Sequence, residues 1–146
     1  MPDAPGFVIH GCVDWRDIDA NDHMSNSAFL AKGIESRLQF FDSHGYAFER
    51  YKSDGLGLAA IKEGIRYDRE LCWSEGFELH LFLAAPFGED GVMRFLNIFY
   101  ETKSRSRCAV LKSDIIWMDM HKRRRARAPD AAIQALQVLP VLRDYA

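Results

Sequence analysis

One long, apolar helix is the feature that most constrains how this chain folds. Its apolar face is marked at helical spacing by Leu30, Ile34, Leu38 and Phe41 and is widened by Phe29 and Phe40. Lys32, Glu35 and Arg37 fall outside this face, and Glu35 is expected in solvent. Ser25, Asn26 and Ser27 are candidate N-caps, and His44-Gly45 predicts a left-handed C-terminal cap. Because a helix this apolar must be covered on more than one side, the rest of the chain has to wrap around it.

The segments on either side of the helix alternate with the two-residue period of strands. We predict extended segments over residues 7–15, 58–71, 77–83, 92–103 and 107–120. The stretch from Tyr46 to Gly57 is polar and contains glycine, which favours an irregular connection, and a short helix is predicted over 130–139. Buried positions in the core or a subunit interface are expected for Trp73, Phe82, Phe95, Phe99 and Trp117.

Strands grouped after a single helix indicate an α+β protein rather than alternating βαβ units. The economical arrangement is a curled antiparallel sheet of about five to six strands wrapped around the helix, with the four later strands joined by hairpins. We expect residues 1–146 to form a single domain, since this length is typical of one. Such a sheet leaves an edge strand open, which favours a homodimer or tetramer formed by edge pairing or by packing of sheet faces.

Composition argues against several functional classes. Hydrophobic residues make up 48% and charged residues 27%, as in globular proteins, and the net charge of −2 gives no general attraction to nucleic acids or anionic membranes. No apolar run is long enough to cross a bilayer, and residues 1–7 lack the features of a secretory signal. Cys12, Cys72 and Cys108 have no metal-binding spacing. We therefore expect reduced, mostly buried thiols in a cytoplasmic protein with no metal site.

The polar stretch between the first strand and the helix carries the most specific motif. It is Asp17-Ile18-Asp19-Ala20-Asn21-Asp22-His23-Met24, followed by Asn26 and by Phe29-Leu30. This stretch resembles the signature of hotdog-fold acyl-CoA thioesterases of the 4-hydroxybenzoyl-CoA thioesterase type, in which Asp-x-Asp-x-x-Gly-His/Ile-Val precedes the long helix. The order of the later elements is also similar, so the resemblance extends over most of the chain. It implies a hotdog fold and hydrolysis of an acyl-CoA thioester.

Residues of this motif suit thioester chemistry. Backbone N–H groups at the start of the helix, around Asn26, are unsatisfied donors at the positive end of the helix dipole. They can hold a developing oxyanion, an effect worth roughly 3–4 kcal/mol per good donor. Asp19 either takes a proton from water or attacks the carbonyl carbon directly. Because a thiol is far more acidic than an alcohol, the thiolate leaves without a strong general acid, and neither a metal nor an organic cofactor is needed.

Further candidate residues each have a structural alternative. His23 either orients Asp19 or contacts the substrate, or it satisfies backbone groups of the turn; Asp17 is expected to brace that turn. Ser25 is a candidate substrate contact at the helix start. Glu63 is a candidate contact on an otherwise apolar strand face, although a solvent-facing side chain is the favoured interpretation.

A basic run, Lys122 to Arg127, follows the last long strand. Arg123 and Arg124 are candidates for contacting the phosphates of CoA, because a guanidinium binds phosphate in a bidentate manner. A solvated turn is the alternative, and nucleic-acid binding is least favoured because the run lacks interleaved aromatic residues.

Asp22 stands where the resembled family has glycine. Glycine in such a turn supplies a positive φ or a close approach to the ligand, and aspartate tolerates left-handed geometry better than most residues. Asp22 also adds a third carboxylate near the site, which disfavours a polyanionic CoA. Two alternatives to hydrolysis therefore stay open: a non-catalytic hotdog module that binds acyl-CoA or a partner, and a hydratase or dehydratase that uses His23 with Asp19.

Overall fold

The computed structural model describes residues 2–143, so both ends of the predicted domain, Met1 and residues 144–146, lie outside the described range. In chain order the elements are β1 (Phe7–Cys12), a 3-10 turn (Trp15–Asp17), α1 (Asn26–Ser43), α2 (Phe48–Ser53), β2 (Leu56–Tyr67), β3 (Gly76–Leu83), β4 (Met93–Glu101), β5 (Arg107–Asp119), β6 (Arg124–Arg125) and α3 (Asp130–Val138). Of the helices in this range, none has the length and apolar character that crossing a membrane requires.

The described strands form one antiparallel sheet in the order β1-β3-β4-β5-β2, with β6 paired to the end of β5. The predicted hairpin between β2 and β3 is wrong, because β2 pairs with β5 and β3 pairs with β1. Residues 68–75 carry the chain across to the β1 side of the sheet. They are held there by hydrogen bonds from Val13 N–H to Glu75 O (2.9 Å) and from Met24 N–H to Leu71 O (2.7 Å).

Helix α1 packs into the curve of this sheet, which gives the hotdog fold that the sequence predicted. Aromatic side chains join the two, with ring centroids 5.0 Å apart for Phe29 and Phe99 and 5.7 Å apart for Phe41 and Trp117. Gly33 lets the helix approach closely, since a Cβ there would collide with the Leu111 side chain. The inner side of the helix therefore packs on the sheet from Phe29 to Phe41.

The buried face of α1 differs from the one that hydrophobic spacing predicted. The helix turns Phe29, Gly33, Ser36, Arg37, Phe40 and Phe41 inward. Ile34 is 40% exposed, whereas Arg37, which was expected outside the apolar face, is 4% exposed. The small residues Gly33 and Ser36 decide the orientation, because only a stripe with small side chains allows this close helix–sheet contact. Glu35 is exposed, as predicted.

Helix α2 lies in the segment that was predicted to be irregular. Tyr51 buries its ring against Tyr46 and Trp117, with centroids 5.0 Å and 5.4 Å away. Glu49 in its first turn and Lys52 in its last turn match the helix dipole. The predicted cap of the preceding helix is confirmed, since Gly45 has a φ of +93°.

Strand β2 contains a bulge between Ala60 and Lys62, at which Ile61 is the extra residue. Ala60 pairs with Ile115 and Glu63 pairs with Ser113, so both side chains face the helix. Ile61 is 57% exposed and leaves the face that it was expected to share with Glu63. The strand ends at Tyr67, earlier than predicted, and β1 likewise ends at Cys12 instead of Trp15.

The expectation of mostly buried thiols is wrong, and Trp73 does not lie in the core of this chain. Of the three free thiols only Cys108 is buried, because Cys12 and Cys72 lie at the end of β1 and in the 68–75 connection. Trp73 is 58% exposed and packs edge-on against the exposed Trp15 at 5.4 Å. The other four aromatic residues that were expected inside, Phe82, Phe95, Phe99 and Trp117, are buried.

Candidate active site

The turn before α1 fixes the backbone around Asp19. The Asp19 N–H donates to His23 O at 3.1 Å, and the Asp22 N–H donates back to Asp19 O at 3.1 Å. One carboxylate oxygen of Asp19 accepts from the Asn21 N–H at 2.8 Å, an Asx turn. This is the one hydrogen bond to that carboxylate from within residues 2–143, so the half-buried side chain keeps capacity to accept another proton donor.

Asp22 adopts the left-handed conformation that this turn requires, with a φ of +64°. Its side chain is exposed. The turn therefore forms without glycine, as the tolerance of aspartate for left-handed geometry predicted, and the third carboxylate lies at the surface beside the site.

The start of α1 is capped by Ser25, whose Oγ accepts from the Ala28 N–H at 3.1 Å. The Ser25 hydroxyl is also 3.1 Å from that of Ser27. The cap leaves the backbone N–H groups of Asn26 and Ser27 without an acceptor among the residues the structure describes. Asn26 is exposed, so a carbonyl oxygen can reach these donors from solvent.

Asp17 braces the turn, as the sequence predicted. Its carboxylate accepts from the Asp14 N–H at 3.1 Å and lies 3.2 Å from Lys32 Nζ on α1. Its backbone carbonyl accepts from the Ser25 N–H at 2.8 Å. These bonds hold the Asp19 turn and the helix start as one unit.

A cleft of about 360 Å³ opens beside the helix start. Its walls are formed by the end of the turn, the first turn of α1 and the end of β2 with the following loop: His23, Met24, Asn26, Phe29, Tyr67, Asp68, Arg69 and Glu70. His23 Nε2 lies 3.7 Å from Glu70 Oε2, and its Nδ1 lies 3.4 Å from Met24 O. The His23 imidazole therefore lies at the cleft wall, with the Glu70 carboxylate as its neighbour. On the same wall, burial raises the pKa of Tyr67 above its usual value.

Arg69 anchors the loop that forms this wall. Its Nη2 lies 3.0 Å from Glu75 Oε2 and 3.6 Å from Glu101 Oε1. Glu75 also accepts from the Cys72 N–H at 2.7 Å. The hydrogen bond from Arg69 holds the pKa of Glu75 below its usual range, and the bond from Cys72 acts in the same direction.

Sequence comparison identifies the family. Residues 13–136 match the model of the thioesterase-like superfamily, a range that includes the turn, α1 and the long strands of the sheet. The chain belongs to this superfamily. No curated protein matches it in sequence.

Solved structures that resemble this superfamily member share its fold at low sequence identity. The Staphylococcus aureus protein SAV2348, solved in complex with CoA, is 16% identical with a TM-score of 0.81, covering 97% of this chain and 92% of that one. Slr0204 from Synechocystis, a 1,4-dihydroxy-2-naphthoyl-CoA thioesterase, is 14% identical with a TM-score of 0.81, covering 90% and 95%. The dynemicin thioesterase, described with bound polyene, is 14% identical with a TM-score of 0.83, covering 94% and 99%.

Glu63 lies at an exposed position of β2, as the favoured interpretation had it, but its carboxylate is turned toward the helix side. The side chain is 21% exposed, accepts from Ser113 Oγ at 2.8 Å and lies 3.7 Å from Arg37 Nη1. The bulge at Ile61 causes this, because it places Glu63 on the helix side of β2. The carboxylate lies partway along α1, away from the helix start.

Arg123 and Arg124 are not brought near Asp19 within this chain. They lie where β6 pairs with the end of β5, at Met118 and Asp119, beside the start of β2. The helix start lies at the other end of β2, where Phe29 contacts Tyr67 at 5.4 Å. Both arginines are exposed, so the basic run forms a solvated turn in this chain.

Sequence reasoning missed the residues that line the cleft from β2 and those buried beneath α1. Tyr67 is the last residue of β2, and Arg69 and Glu70 follow it; only the antiparallel arrangement of β2 and α1 brings them to the helix start. Arg37 gave no signal, because an arginine outside an apolar stripe normally faces solvent.

Proposed function

We propose that the protein hydrolyses an acyl-CoA thioester, with Asp19 as general base or nucleophile and the Asn26 N–H as the oxyanion donor. One observation carries the proposal. The Asp19 turn and the helix start form a single braced unit, through the hydrogen bond from Ser25 N–H to Asp17 O and the Asp17–Lys32 ion pair. Membership of the thioesterase-like superfamily supports this chemistry in general.

In the proposed reaction the thioester oxygen accepts a hydrogen bond from the Asn26 N–H, which polarises the carbonyl. Asp19 takes a proton from a water molecule as the water oxygen bonds to the carbonyl carbon. The tetrahedral intermediate collapses, the C–S bond breaks, and the proton held by Asp19 passes to the thiolate. In the alternative route the Asp19 carboxylate bonds to the carbonyl carbon and expels the thiolate, and water then cleaves the mixed anhydride.

Roles for the remaining candidates follow from their positions. His23 and Ser25 border the helix start, where we assign His23 to substrate contact and Ser25 to capping the Ala28 N–H, which leaves the Asn26 and Ser27 N–H groups free for the substrate. A hydratase that pairs His23 with Asp19 is less well supported, since the His23 Nε2 has Glu70 as its neighbour. The 4-hydroxybenzoyl-CoA type is the proposed subgroup, and an acyl-CoA is its substrate; a CoA complex of one structural neighbour supports the latter.

We propose a cytoplasmic, single-domain protein that acts as a homodimer or tetramer. Among the strands of residues 2–143, β2 is the last of the sheet and pairs on one side only, with β5. Pairing of two β2 edges would cover it. In such an assembly Arg123 and Arg124 would reach the phosphates of CoA bound to a second copy, which the position of the two arginines within one chain does not allow.

The substitution Asp19→Asn tests the assignment. The amide keeps the Asx turn with Asn21 but cannot take a proton or act as a nucleophile, so we expect turnover to fall by about 10²–10⁴-fold. Thiol release from short, long and aromatic acyl-CoAs measures it. Glu89→Gln, in an exposed turn, is the matched control and should retain full activity. Full activity in Asp19→Asn, with an unchanged circular dichroism spectrum, would sink the assignment.

The same screen distinguishes the non-catalytic alternative, which the exposed charge of Asp22 beside the site favours. Binding of acyl-CoA without thiol release from any substrate would support a binding module.

A further inference from the structure

A second cavity, of about 600 Å³, opens between α1, α2 and β2. Its walls are mainly apolar and include Ile34, Leu38, Leu56, Leu58 and Ala60. This volume is typical of small-molecule sites. Like the cleft at Asn26, the cavity lies on the seam between α1 and β2, which run antiparallel: Phe29 contacts Tyr67 at one position, and Arg37 contacts Glu63 further along.

Several polar side chains interrupt these apolar walls: Lys52 and His121 at exposed positions, the Tyr51 hydroxyl, which is buried without a described partner, and the pair Arg37 and Glu63 on α1 and β2. Arg37 is 4% exposed, and its Nη1 has no hydrogen-bond partner in the described structure. Glu63 Oε2 is 3.7 Å from that nitrogen, too far for a hydrogen bond, and is held by Ser113 Oγ at 2.8 Å. Burial lowers the pKa of Arg37, while Glu63 opposes that shift. A buried donor left unpaired at a cavity wall is costly and marks a place for a ligand acceptor.

We propose that this cavity binds the distal part of the acyl chain, and that Arg37 and Glu63 together recognise a hydroxyl group at its end. The inference rests on the proposed function, because it assigns the acyl group of that substrate. A hydroxyl can accept from Arg37 Nη1 and donate to the free oxygen of Glu63. A carboxylate cannot donate and would be repelled by Glu63, and a methyl group leaves Arg37 unpaired.

The distance along α1 from Asn26 to Arg37 sets the length of the acyl chain. Arg37 lies about 16 Å along the axis from Asn26 at a rise of ~1.5 Å per residue. An extended chain that advances roughly 1.3 Å per covalent bond covers this distance with about twelve carbons. The substrate class is therefore a straight ω-hydroxyacyl group of medium length.

Binding of thioether analogues of CoA tests this independently of turnover. Calorimetry would compare dodecyl, ω-hydroxydodecyl and ω-carboxyundecyl thioethers, and a hexyl and ω-hydroxyhexyl pair too short to reach Arg37. We expect the ω-hydroxydodecyl analogue to bind at least about tenfold more tightly than either other long analogue, and the hexyl pair to bind equally. Equal binding of the long analogues, tighter binding of the carboxylate, or no binding of any analogue overturns the inference.

Variants of Glu63 and Arg37 test whether these two side chains recognise the ω-hydroxyl group. Glu63→Gln keeps an acceptor for Ser113 but removes the negative charge, so the preference should shift toward the ω-carboxyundecyl analogue by about tenfold or more. Arg37→Met leaves Glu63 in place, so the preference for the hydroxyl over the dodecyl analogue should shrink and the ω-carboxyundecyl analogue should bind most weakly. Glu35→Gln, on the exposed side of α1, should leave every preference unchanged. An unchanged preference in Glu63→Gln overturns the inference even if Arg37→Met fails to fold.

Outcomes for the two proposals are separable. A hydroxyl preference in binding without hydrolysis of any acyl-CoA would refute the proposed activity and leave this inference standing. Hydrolysis of acyl-CoA that depends on Asp19 but shows no effect of the ω-substituent would do the reverse.

Discussion

Asp17 and Lys32 join the turn before α1 to the second turn of that helix. Their charged atoms are 3.2 Å apart, and both side chains are largely buried, with exposed fractions of 19% and 21%. Lys32 Nζ also lies 5.6 Å from the centre of the Phe77 ring. Because the ion pair is shielded from solvent, removing one partner would leave the other charge poorly solvated.

Replacing Lys32 with Met should loosen this connection. We expect a loss of about 1–2 kcal/mol in the free energy of unfolding, since Asp17 keeps a partly buried charge without its partner. Activity should fall several-fold because Asp19 follows Asp17 in the turn. Urea unfolding and thiol release measure the two effects. Lys103→Met, at an exposed position, should change neither; equal stability of the two variants would contradict the bracing role.

Two substitutions of Asp22 distinguish the effect of backbone geometry from the effect of charge at the site. Asp22→Asn keeps a residue that tolerates a positive φ and removes the carboxylate, and Asp22→Gly also relieves the left-handed conformation. We expect both variants to raise kcat/KM for acyl-CoA about two- to fivefold through a lower KM, most clearly at low ionic strength. A rise in the glycine variant alone would show that backbone geometry, and not charge, limits activity.

The ionisation of Glu75 should make the free energy of unfolding depend on pH. Its folded-state pKa lies below the reference value of 4.5, chiefly because of the hydrogen bond from Arg69. Its stabilising contribution is therefore complete above about pH 4.5 and is lost as the pH falls through the lower, folded-state pKa. Glu75→Gln should be about 1 kcal/mol less stable at pH 7.

Urea unfolding between pH 3 and 7 measures this difference, which should shrink as the solution is acidified below about pH 4.5. Glu89→Gln, which lies in an exposed turn, supplies the control. A difference that stays constant over the whole range would exclude a role for the Glu75 charge.

Ile61 tests assembly through the open edge of the sheet. It is 57% exposed on β2, so Ile61→Asp would place a charge at the proposed β2–β2 contact. We expect sedimentation to show a shift to monomer. Val138→Asp on α3, at a residue 66% exposed, is a matched control that should leave assembly unchanged. Unaltered assembly in Ile61→Asp would point to packing of sheet faces instead.

Much of the fold was predictable because its signals are local. The cap at Gly45 and the strands β3 and β5 depend on neighbours in sequence, and these predictions are confirmed, although both faces of β3 are buried where a half-buried strand was predicted. The pairing of β2 with β5 was not predictable from hairpin rules, because it depends on hydrogen bonds that tie residues 68–75 to the segments around Val13 and Met24.

At the candidate site, sequence alone identified the Asp19 turn and the helix start but not the wall that completes the cleft. Arg69 and Tyr67 reach it through tertiary packing. The contacts of Glu63 with Ser113 and Arg37 were not predicted, because a single extra residue in β2 changes which face its side chain occupies. Such a bulge leaves little trace in residue periodicity.

The bulge at Ile61 has a consequence for insertions and deletions. Removing that residue would restore strict alternation, so one half of β2 would have to turn its side chains away from α1. Either Leu58 and Ala60 or Glu63 and Ile65 would leave the helix side, since all four face it only when the extra residue separates them. During evolution, substitutions can change the side chains that either half of β2 turns toward α1. Deletion of the codon for Ile61 would instead remove all of those side chains from the helix side in one half of the strand.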